Sequence, residues 1–292
     1  MDIKKLQLFV ITSETKKISR TAEITGYTQS GVSHILKSLE KEVGIQLFVR
    51  DRYGVHLTPL GSDFLIYVKR FLAENDRLEQ FVYDLHGLEV GTITVGCYWS
   101  IANKWMPDLI SKFSEAHPNI KFIIREAGAE QLHAWTSDFE IDLSIFSKQP
   151  KFDYDFISLA NDPMVAVLPP NHPLANEDSV PIRSFAGENF IQSETGVDYD
   201  IYSILSKEKI NPNIKYSSTD DQTIIAMVEA GLGTAILPKL STQVRTGNYV
   251  VRPLTPERHR ELGIGIKSMN MAPPIVRSFI YTIESYVKEL GL

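Results

Sequence analysis

Cysteine is nearly absent from the sequence, since Cys97 is the single one among 292 residues. This excludes an internal disulfide and a metal site built from several cysteines. Cys97 lies inside an apolar, strand-like run, and no second cysteine is available to resolve an oxidised thiol. We therefore expect a buried, unreactive thiol rather than a redox sensor. Neither a metal nor another cofactor is predicted.

Long hydrophobic runs are absent as well. No apolar segment approaches the roughly 20 residues that a membrane-spanning helix needs. The first segment, MDIKKLQLFVITSE, has only a short apolar patch before Glu14, so we expect no signal peptide. With the single cysteine, these features predict a cytoplasmic protein that does not bind a membrane.

Enzyme signatures are also missing. The sequence contains no G-x-S-x-G, no H-E-x-x-H, no P-loop and no complete G-x-G-x-x-G. The segment GLGTA (231–235) is only half of a phosphate-binding loop. No catalytic residue is predicted, because the seven histidines are scattered and no nucleophile has a base near it in the sequence.

Positive charge is concentrated at the start of the chain. Residues 1–60 carry nine Lys or Arg and six Asp or Glu, a net charge of +3, whereas the remainder has a net charge of −9. A basic segment on an acidic body points to a polyanionic partner for that segment alone.

The segment GYTQSGVSHILKSLE (26–40) has the apolar spacing of an amphipathic helix with one buried stripe. Its opposite face carries hydroxyl, amide and imidazole groups and almost no carboxylate. Ser19 is a candidate N-cap for the preceding helix, Gly26 interrupts the pattern, and Thr28 can cap the next helix. Helix, glycine-containing turn, helix is the helix-turn-helix arrangement, whose second helix enters the DNA major groove. The alternative is a polar surface helix in a small bundle.

A hairpin follows these helices in QLFVRDRYGVHLTPLG (46–61), where short apolar runs flank Tyr53 and Gly54. In a winged helix such a hairpin lies beside the recognition helix, and its arginines can enter the minor groove. The candidate DNA-binding residues are Ser19, Arg20, Thr28, Gln29, Ser30, Ser33, His34, Lys37, Arg50 and Arg52.

A long helical pattern begins at residue 61. Apolar residues recur in steps of four and three over about three heptads, which is typical of a coiled-coil seam. The alternative is an amphipathic helix packed on its own domain. The seam, and with it the predicted dimerisation contact, consists of Phe64, Val68, Phe71, Asn75, Leu78, Val82 and Leu85.

Strand-like and helical runs alternate from residue 91 onwards, which predicts α/β lobes with mainly parallel sheets. Ligands of such lobes bind at the carboxyl ends of the strands. The candidate effector-binding residues at these ends are Tyr98, Trp99, Ser100, Ile101, Gly128, Ala129, Ser147, Gln192, Ser193, Thr195, Val197, Tyr202, Thr219 and Asp220. Ser100 can alternatively be a plain helix cap, and Tyr98 and Trp99 can be core residues.

The sequence resembles the LysR-type transcriptional regulators. The resemblance rests on LQLFV (6–10), SRTAE (19–23), TQSGVSHILKSLE (28–40), GIQLFVR (44–50) and LTPLG (57–61). It departs from the family at His34, where arginine is usual, and at Gly31, where proline or alanine is common. A histidine reaches less far than arginine, so a bidentate guanine contact at this position is not expected.

The resemblance implies an α/β protein with an N-terminal winged helix-turn-helix (1–60), a long linker helix (61–90) and a two-lobed α/β effector domain (91–292) resembling periplasmic binding proteins. It implies lobe I at 91–161 and 268–292 and lobe II at 162–267, with crossings near 161–163 and 265–268. The implied partners are double-stranded operator DNA, a small-molecule effector, a second copy as homodimer or dimer of dimers, and RNA polymerase. An effector-independent regulator and a solute-binding protein are the alternatives, and residues 1–60 argue against the latter.

Overall fold

A computed structural model describes residues 1–85, 90–148, 154–194 and 199–291. The chain forms two compact units. Unit 1 comprises Met1–Val82 with Asp138–Glu140, and unit 2 comprises Tyr83–Ser137 with Ile141–Leu292. Among the described helices, none combines the length and the apolar composition that crossing a membrane requires.

Unit 1 is a winged helix-turn-helix followed by a long helix. Its core forms around Phe9, which is fully buried and contacts the rings of Phe48 and Phe64 at centroid distances of 5.2 and 5.4 Å. The strands β1 and β2 pair antiparallel as the wing. The elements in chain order are α1 (Ile3–Thr15), α2 (Ile18–Thr25), α3 (Gln29–Val43), β1 (Phe48–Asp51), β2 (Gly54–Leu57) and α4 (Pro59–Leu85).

The turn between α2 and α3 follows the sequence signals closely. Gly26 ends α2 with a φ of 73°, a left-handed conformation that costs glycine little. The Thr28 hydroxyl oxygen then accepts a hydrogen bond of 3.0 Å from the Gly31 backbone N–H, so Thr28 is the N-cap of α3 as predicted. Ser19 is not the N-cap of α2, because the helix begins two residues earlier than predicted, at Ile18, and its N-cap is Lys17.

The helix α4 covers the predicted linker as far as residue 85. The prediction that the whole seam is available to a partner is wrong at its start. Val68 is only 3% exposed and belongs to the core of unit 1, and Phe64 packs against the same core. Phe71, Leu78 and Val82 are exposed, whereas the Leu85 side chain lies outside the described residues.

Unit 2 contains two hydrophobic cores, which define two lobes. The first core draws on residues 93–113, 143–146 and 275–287, and it includes Ala160, Leu240 and Leu262. The second core runs from Met164 to Leu254. The first-lobe elements are β3 (Gly91–Cys97), α5 (Trp99–Lys104), α6 (Met106–Ala116), β4 (Ile120–Glu126), α7 (Ala129–Ser137), β5 (Leu143–Ser147) and, at the end of the chain, α11 (Pro274–Glu289).

Two long strands connect the lobes. The strand β6 (Asp155–Leu168) begins in the first core and ends in the second, and it pairs antiparallel with β12 (His259–Ile266). The other elements are β7 (Val180–Pro181), β8 (Asn189–Ser193), α8 (Tyr199–Lys207), β9 (Asn213–Ser218), α9 (Asp221–Glu229), β10 (Ala235–Pro238), α10 (Lys239–Thr242) and β11 (Val250–Thr255).

The sheets are mixed rather than mainly parallel. Pairs β3–β4, β3–β5, β7–β11 and β8–β9 are parallel, but β6 is antiparallel to each strand that it joins, namely β10, β11 and β12. The return to the first lobe also lies earlier than the resemblance implied. Leu262, Ile264 and Ile266 already belong to the first core, so the return lies near Arg260.

Candidate DNA-binding and effector-binding sites

The exposed face of α3 carries the predicted base-reading groups. Val32, Leu36 and Leu39 are buried, which orients the helix. The opposite positions Gln29, Ser30, His34 and Lys37 are all exposed. Short hydroxyl and amide side chains suit hydrogen bonding to base edges, and a lysine or an imidazole can bind phosphate or a guanine acceptor. This face therefore has the chemistry of a recognition helix.

A contact between two side chains ties the wing to this helix. Arg50 Nη1 donates a hydrogen bond of 2.6 Å to the Ser33 hydroxyl. Arg52 instead bonds the Tyr53 hydroxyl at 2.6 Å and lies 4.8 Å from the centre of its ring. Asp51 accepts hydrogen bonds from two backbone N–H groups of the turn and thereby shapes it. The structure thus brings Arg50 of the wing onto α3, whereas Arg52 stays with Tyr53 at the turn of the wing.

The other residues predicted to contact DNA already form contacts within the protein or are partly buried. The Thr28 hydroxyl caps α3 and lies 3.1 Å from the Ser30 hydroxyl. Arg20 is well exposed and forms an ion pair of 2.9 Å with Glu23, one turn further along α2. Ser19 is half-buried on the same helix. These residues flank the recognition face rather than forming its centre.

Glu40 is a residue of this site that the sequence did not indicate. Its Oε1 atom accepts hydrogen bonds from the backbone N–H groups of Leu47 and Phe48, at 2.9 and 3.0 Å. It thereby attaches the first strand of the wing to the third helix. In the sequence, a half-buried carboxylate near a helix end gives no sign of this contact, because its partners lie seven and eight residues later.

The first-lobe candidates meet at the carboxyl ends of β3 and β5. The Tyr98 hydroxyl lies 2.9 Å from the Ser147 hydroxyl, and both residues are buried. Ile101 is fully buried, so it is a core residue and not a lining residue of a cleft. Gly128 and Ala129 are buried at the start of α7, and Trp99 is partly exposed. Tyr98 therefore fits the core alternative better than ligand stacking.

Ser100 belongs to a polar network that the sequence did not predict. Arg260 Nη2 donates a hydrogen bond of 3.1 Å to the Ser100 hydroxyl, and its Nε donates one of 3.0 Å to Asp162 Oδ2. Both partners of the ion pair are buried, at 3% and 9% side-chain exposure. The sequence signal for this pair is slight, because one arginine before an apolar strand is also typical of a strand end.

The second-lobe candidates lie at the ends of β8 and β9. Ser193 is 4% exposed, and its hydroxyl has no hydrogen-bond partner among the described residues. The same holds for Oε1 of Gln192. Asp220 is the N-cap of α9 and accepts from the backbone N–H groups of Gln222 and Thr223. Thr219 and Tyr202 are exposed, and the predicted Thr195 and Val197 lie outside the described residues.

Cys97 is fully buried in β3. Burial raises the pKa of its thiol, and the negative charge of Glu126 raises it further. A thiol held protonated in this way is a poor nucleophile. Within the part of the chain that the structure describes, no group of three His, Cys, Asp or Glu side chains could hold a metal ion.

Both the DNA-binding part and the effector-binding part of the chain match families of known proteins. Residues 3–62 match the family of bacterial regulatory helix-turn-helix proteins of the lysR type, and residues 86–287 match the LysR substrate binding domain. The uncharacterised regulator YvbU of Bacillus subtilis (strain 168) is 28% identical over 96% of this chain and 97% of that protein. The transcriptional dual regulator GltC of the same strain is 27% identical over 99% and 98%.

Solved structures share the fold. Full-length CbnR, determined with its target DNA, is 15% identical, with a TM-score of 0.73 over 98% of this chain and 99% of that one. The effector binding domain of QuiR, determined with shikimate, is 23% identical, with a TM-score of 0.63 over 68% of this chain and 98% of that one. The resemblance noted in the sequence is confirmed. The chain belongs to the LysR family of DNA-binding transcriptional regulators, in which a helix-turn-helix is joined to an effector-binding domain.

Proposed function

We propose that this regulator reads its operator with the exposed face of α3, using Gln29, Ser30 and His34 on base edges and Lys37 and the wing arginines on the DNA backbone. The observation that carries the proposal is the Arg50–Ser33 hydrogen bond, because it holds a cation beside the base-reading face. Backbone contacts of this kind orient a protein on the duplex, and base contacts supply the sequence preference.

The proposed active form is a homodimer, or a dimer of such dimers, joined through α4. Phe71, Leu78 and Val82 are 51%, 62% and 43% exposed, which leaves an apolar stripe uncovered on one helix. Covering this stripe by a second copy would present two recognition helices to two half-sites of a pseudo-palindromic operator. RNA polymerase is the further partner that a cytoplasmic regulator of this type would contact.

The proposed control is a small molecule bound between the two lobes of unit 2. Ser100 in the first lobe and Ser193 in the second are its candidate hydroxyl contacts. An unsatisfied buried hydroxyl costs about 1–3 kcal/mol, so the Ser193 hydroxyl favours a ligand or a water molecule as its partner. A ligand that binds one lobe arrangement more tightly would shift the population toward it and so alter operator binding. A regulator that needs no effector is the alternative.

Selection of DNA sites from a random library, with the full-length protein, tests the DNA-reading assignment. We expect a palindromic consensus for the wild type. Gln29→Ala should relax base preference at one position of each half-site, whereas Lys215→Ala, an exposed lysine in unit 2, should leave the consensus unchanged. An unchanged consensus with Gln29→Ala would mean that α3 reads DNA through other side chains.

Thermal shift of the full-length protein tests the effector assignment. The panel comprises carboxylates, amino acids, aromatic acids, sugar phosphates and nucleosides. A ligand at about 100 times its dissociation constant should stabilise the protein by about 2.7 kcal/mol. Ser193→Ala should weaken a hit, and Lys207→Ala, on an exposed helix position of the same lobe, should not. A hit that Ser193→Ala leaves unchanged would contradict binding at this edge.

A further inference from the structure

Arg260 and Asp162 face each other on adjacent strands where the chain crosses between the lobes. They are directly paired in the register of β12 and β6. Arg260 Nε and Nη2 lie 3.0 and 2.9 Å from Asp162 Oδ2, so the contact is a two-pronged ion pair. The guanidinium also lies 5.1 Å from the centre of the Tyr98 ring, a favourable cation–π distance.

Each partner of this pair also holds a different helix. Arg260 donates to the Ser100 hydroxyl in α5, a helix of the first lobe, at 3.1 Å. Asp162 Oδ1 accepts a hydrogen bond of 3.2 Å from the backbone N–H of Leu240 in α10. The Leu240 side chain packs in the first core, and the next residue, Ser241, donates a hydrogen bond to Asp221 of the second-lobe helix α9. The contacts therefore run from α5 in the first lobe through Arg260 and Asp162 to α10, and α10 is bonded in turn to α9 in the second lobe.

A cavity lies beside the ion pair. A cavity of about 430 Å³ adjoins it, with Asp162 and Leu240 in its wall. The cavity is also lined by Trp105 from the first lobe and by Lys239 and Gln243 from the second. Asp162 therefore borders this cavity on one side, whereas the interior of a protein is otherwise close-packed.

The energetics of the pair favour a geometric role. Removing two charges from water offsets most of their mutual attraction, so a buried ion pair is weak evidence of added stability. Hydrogen bonds to an arginine fork are strongly directional, however, and fix the relative position of the groups that share it. The Arg260 guanidinium binds both Asp162 and Ser100, and Asp162 in turn accepts a hydrogen bond from the Leu240 backbone N–H.

We propose that Arg260, Asp162, Ser100 and Leu240 form a hinge latch that holds the two lobes at one angle and holds the Ser100 hydroxyl in place. Arg260 and Asp162 are positioning residues. The regulatory consequence rests on the proposed function: an effector that engages Ser100 competes with Arg260 for that hydroxyl, and the contact between the lobes changes with it.

Pulsed electron paramagnetic resonance on the full-length protein, without DNA or effector, tests the latch. The labelled protein is mixed with an excess of unlabelled protein, so that the measured distances lie within one chain. Spin labels are attached at Glu115→Cys in the first lobe and Asp178→Cys in the second, both exposed positions. Cys97 does not interfere, because it is buried. We expect one narrow distribution of distances between the labels in the wild type.

The decisive variant is Arg260→Met with Asp162→Leu, which replaces the ion pair by apolar groups and leaves no buried charge. We expect the distance distribution at least to double in width while the melting temperature stays within a few degrees of the wild type. Arg252→Met is the matched control, because Arg252 lies on the neighbouring strand β11 and bonds the Val251 carbonyl. Its distribution should keep the wild-type width.

A folded double variant with the wild-type width would overturn the proposal. If the double variant does not fold, Arg260→Lys provides the same test, since an ammonium keeps the charge but lacks the fork that reaches Asp162 and Ser100 together. An unchanged width with Arg260→Lys would also overturn it. Failure of the site selection described above would refute the proposed DNA reading and leave this distance test valid.

Discussion

The Arg50 guanidinium on the wing donates a 2.6 Å hydrogen bond to the Ser33 hydroxyl on α3. Ser33 was predicted to contact DNA directly, but its hydroxyl accepts from Arg50 and so positions that arginine. A side chain that is already oriented loses less conformational freedom when it binds a phosphate. The wing and the recognition helix therefore form one preassembled surface.

Arg50→Ala should weaken binding to specific and non-specific DNA by a similar factor and should lower the slope of log K against log salt concentration by about 1. The reason is the loss of one cation near a phosphate. Fluorescence anisotropy at four or five salt concentrations measures both effects. Arg245→Ala, which removes an exposed arginine in unit 2, serves as the control. A changed base preference without a changed slope would mean that Arg50 reads a base.

Glu40→Ala should destabilise unit 1 by about 2–3 kcal/mol, because the backbone N–H groups of Leu47 and Phe48 lose a charged acceptor. Glu40→Gln keeps an acceptor oxygen and should cost less. Urea unfolding followed by circular dichroism measures the difference. Glu14→Ala, an exposed glutamate on α1, should change stability by less than about 0.5 kcal/mol. Equal losses of unfolding free energy in Glu40→Ala and Glu14→Ala would contradict the role assigned to Glu40.

Phe71→Glu combined with Leu78→Glu should convert the protein to a monomer, since two charges per chain would be buried in an apolar contact. Light scattering gives the mass directly. The control is Ser62→Glu with Ile66→Glu, which places two charges at exposed positions on the opposite face of α4. A control that also dissociates, or a seam variant that keeps its mass, would show that the contact lies elsewhere.

Cys97 should resist thiol reagents in the folded protein across the neutral and mildly alkaline range. Burial raises the pKa of its thiol, so the reactive thiolate is scarce, and the side chain is inaccessible as well. Reaction with a maleimide, followed by mass spectrometry, should give no adduct in buffer and a full adduct in concentrated urea. Rapid modification in buffer would contradict the buried placement in β3.

Tyr286 should make the folded state lose stability in alkali. Burial, with the 3.0 Å hydrogen bond to Asp108, raises the pKa of its phenol to about 12 from an ordinary value of 10.0. A raised pKa stabilises the folded protein below pH 10, and that contribution declines as the pH rises from 10 toward 12. Tyr286→Phe should show a shallower decline of unfolding free energy over this range, measured by urea titration. Identical slopes for both proteins would refute the assignment.

The turn between α2 and α3 could be predicted because the residues that form it act only on their near neighbours in the sequence. Gly26 and Thr28 mark the turn through a left-handed backbone and a side-chain cap, and both effects act within four residues. The N-cap at Ser19 was wrong by a small shift, since helix ends are the least certain boundaries in any sequence pattern. Val68 was misassigned because one heptad pattern serves both a domain core and a partner surface.

The hinge could not be predicted in the same way. Asp162 and Arg260 lie almost a hundred residues apart, and only the antiparallel pairing of β6 with β12 brings them together. That pairing also explains the mixed sheet, because alternating strands and helices predict parallel neighbours and give no sign of a long strand shared by two lobes. Ser100 was predicted as an effector-binding residue, and its bond to Arg260 depends on this non-local register.

The order in which the lobes can form follows from the placement of α11. The second core is built from one continuous stretch of chain, whereas the first needs Phe279, Ile283 and their neighbours from the last helix. During synthesis, the second lobe can therefore close on itself while the first still exposes apolar surface to the ribosome exit and to chaperones. A chain that stops before Pro274 would contain the DNA-binding domain and a complete second lobe. Its first lobe would lack part of its hydrophobic core and would be a target for degradation.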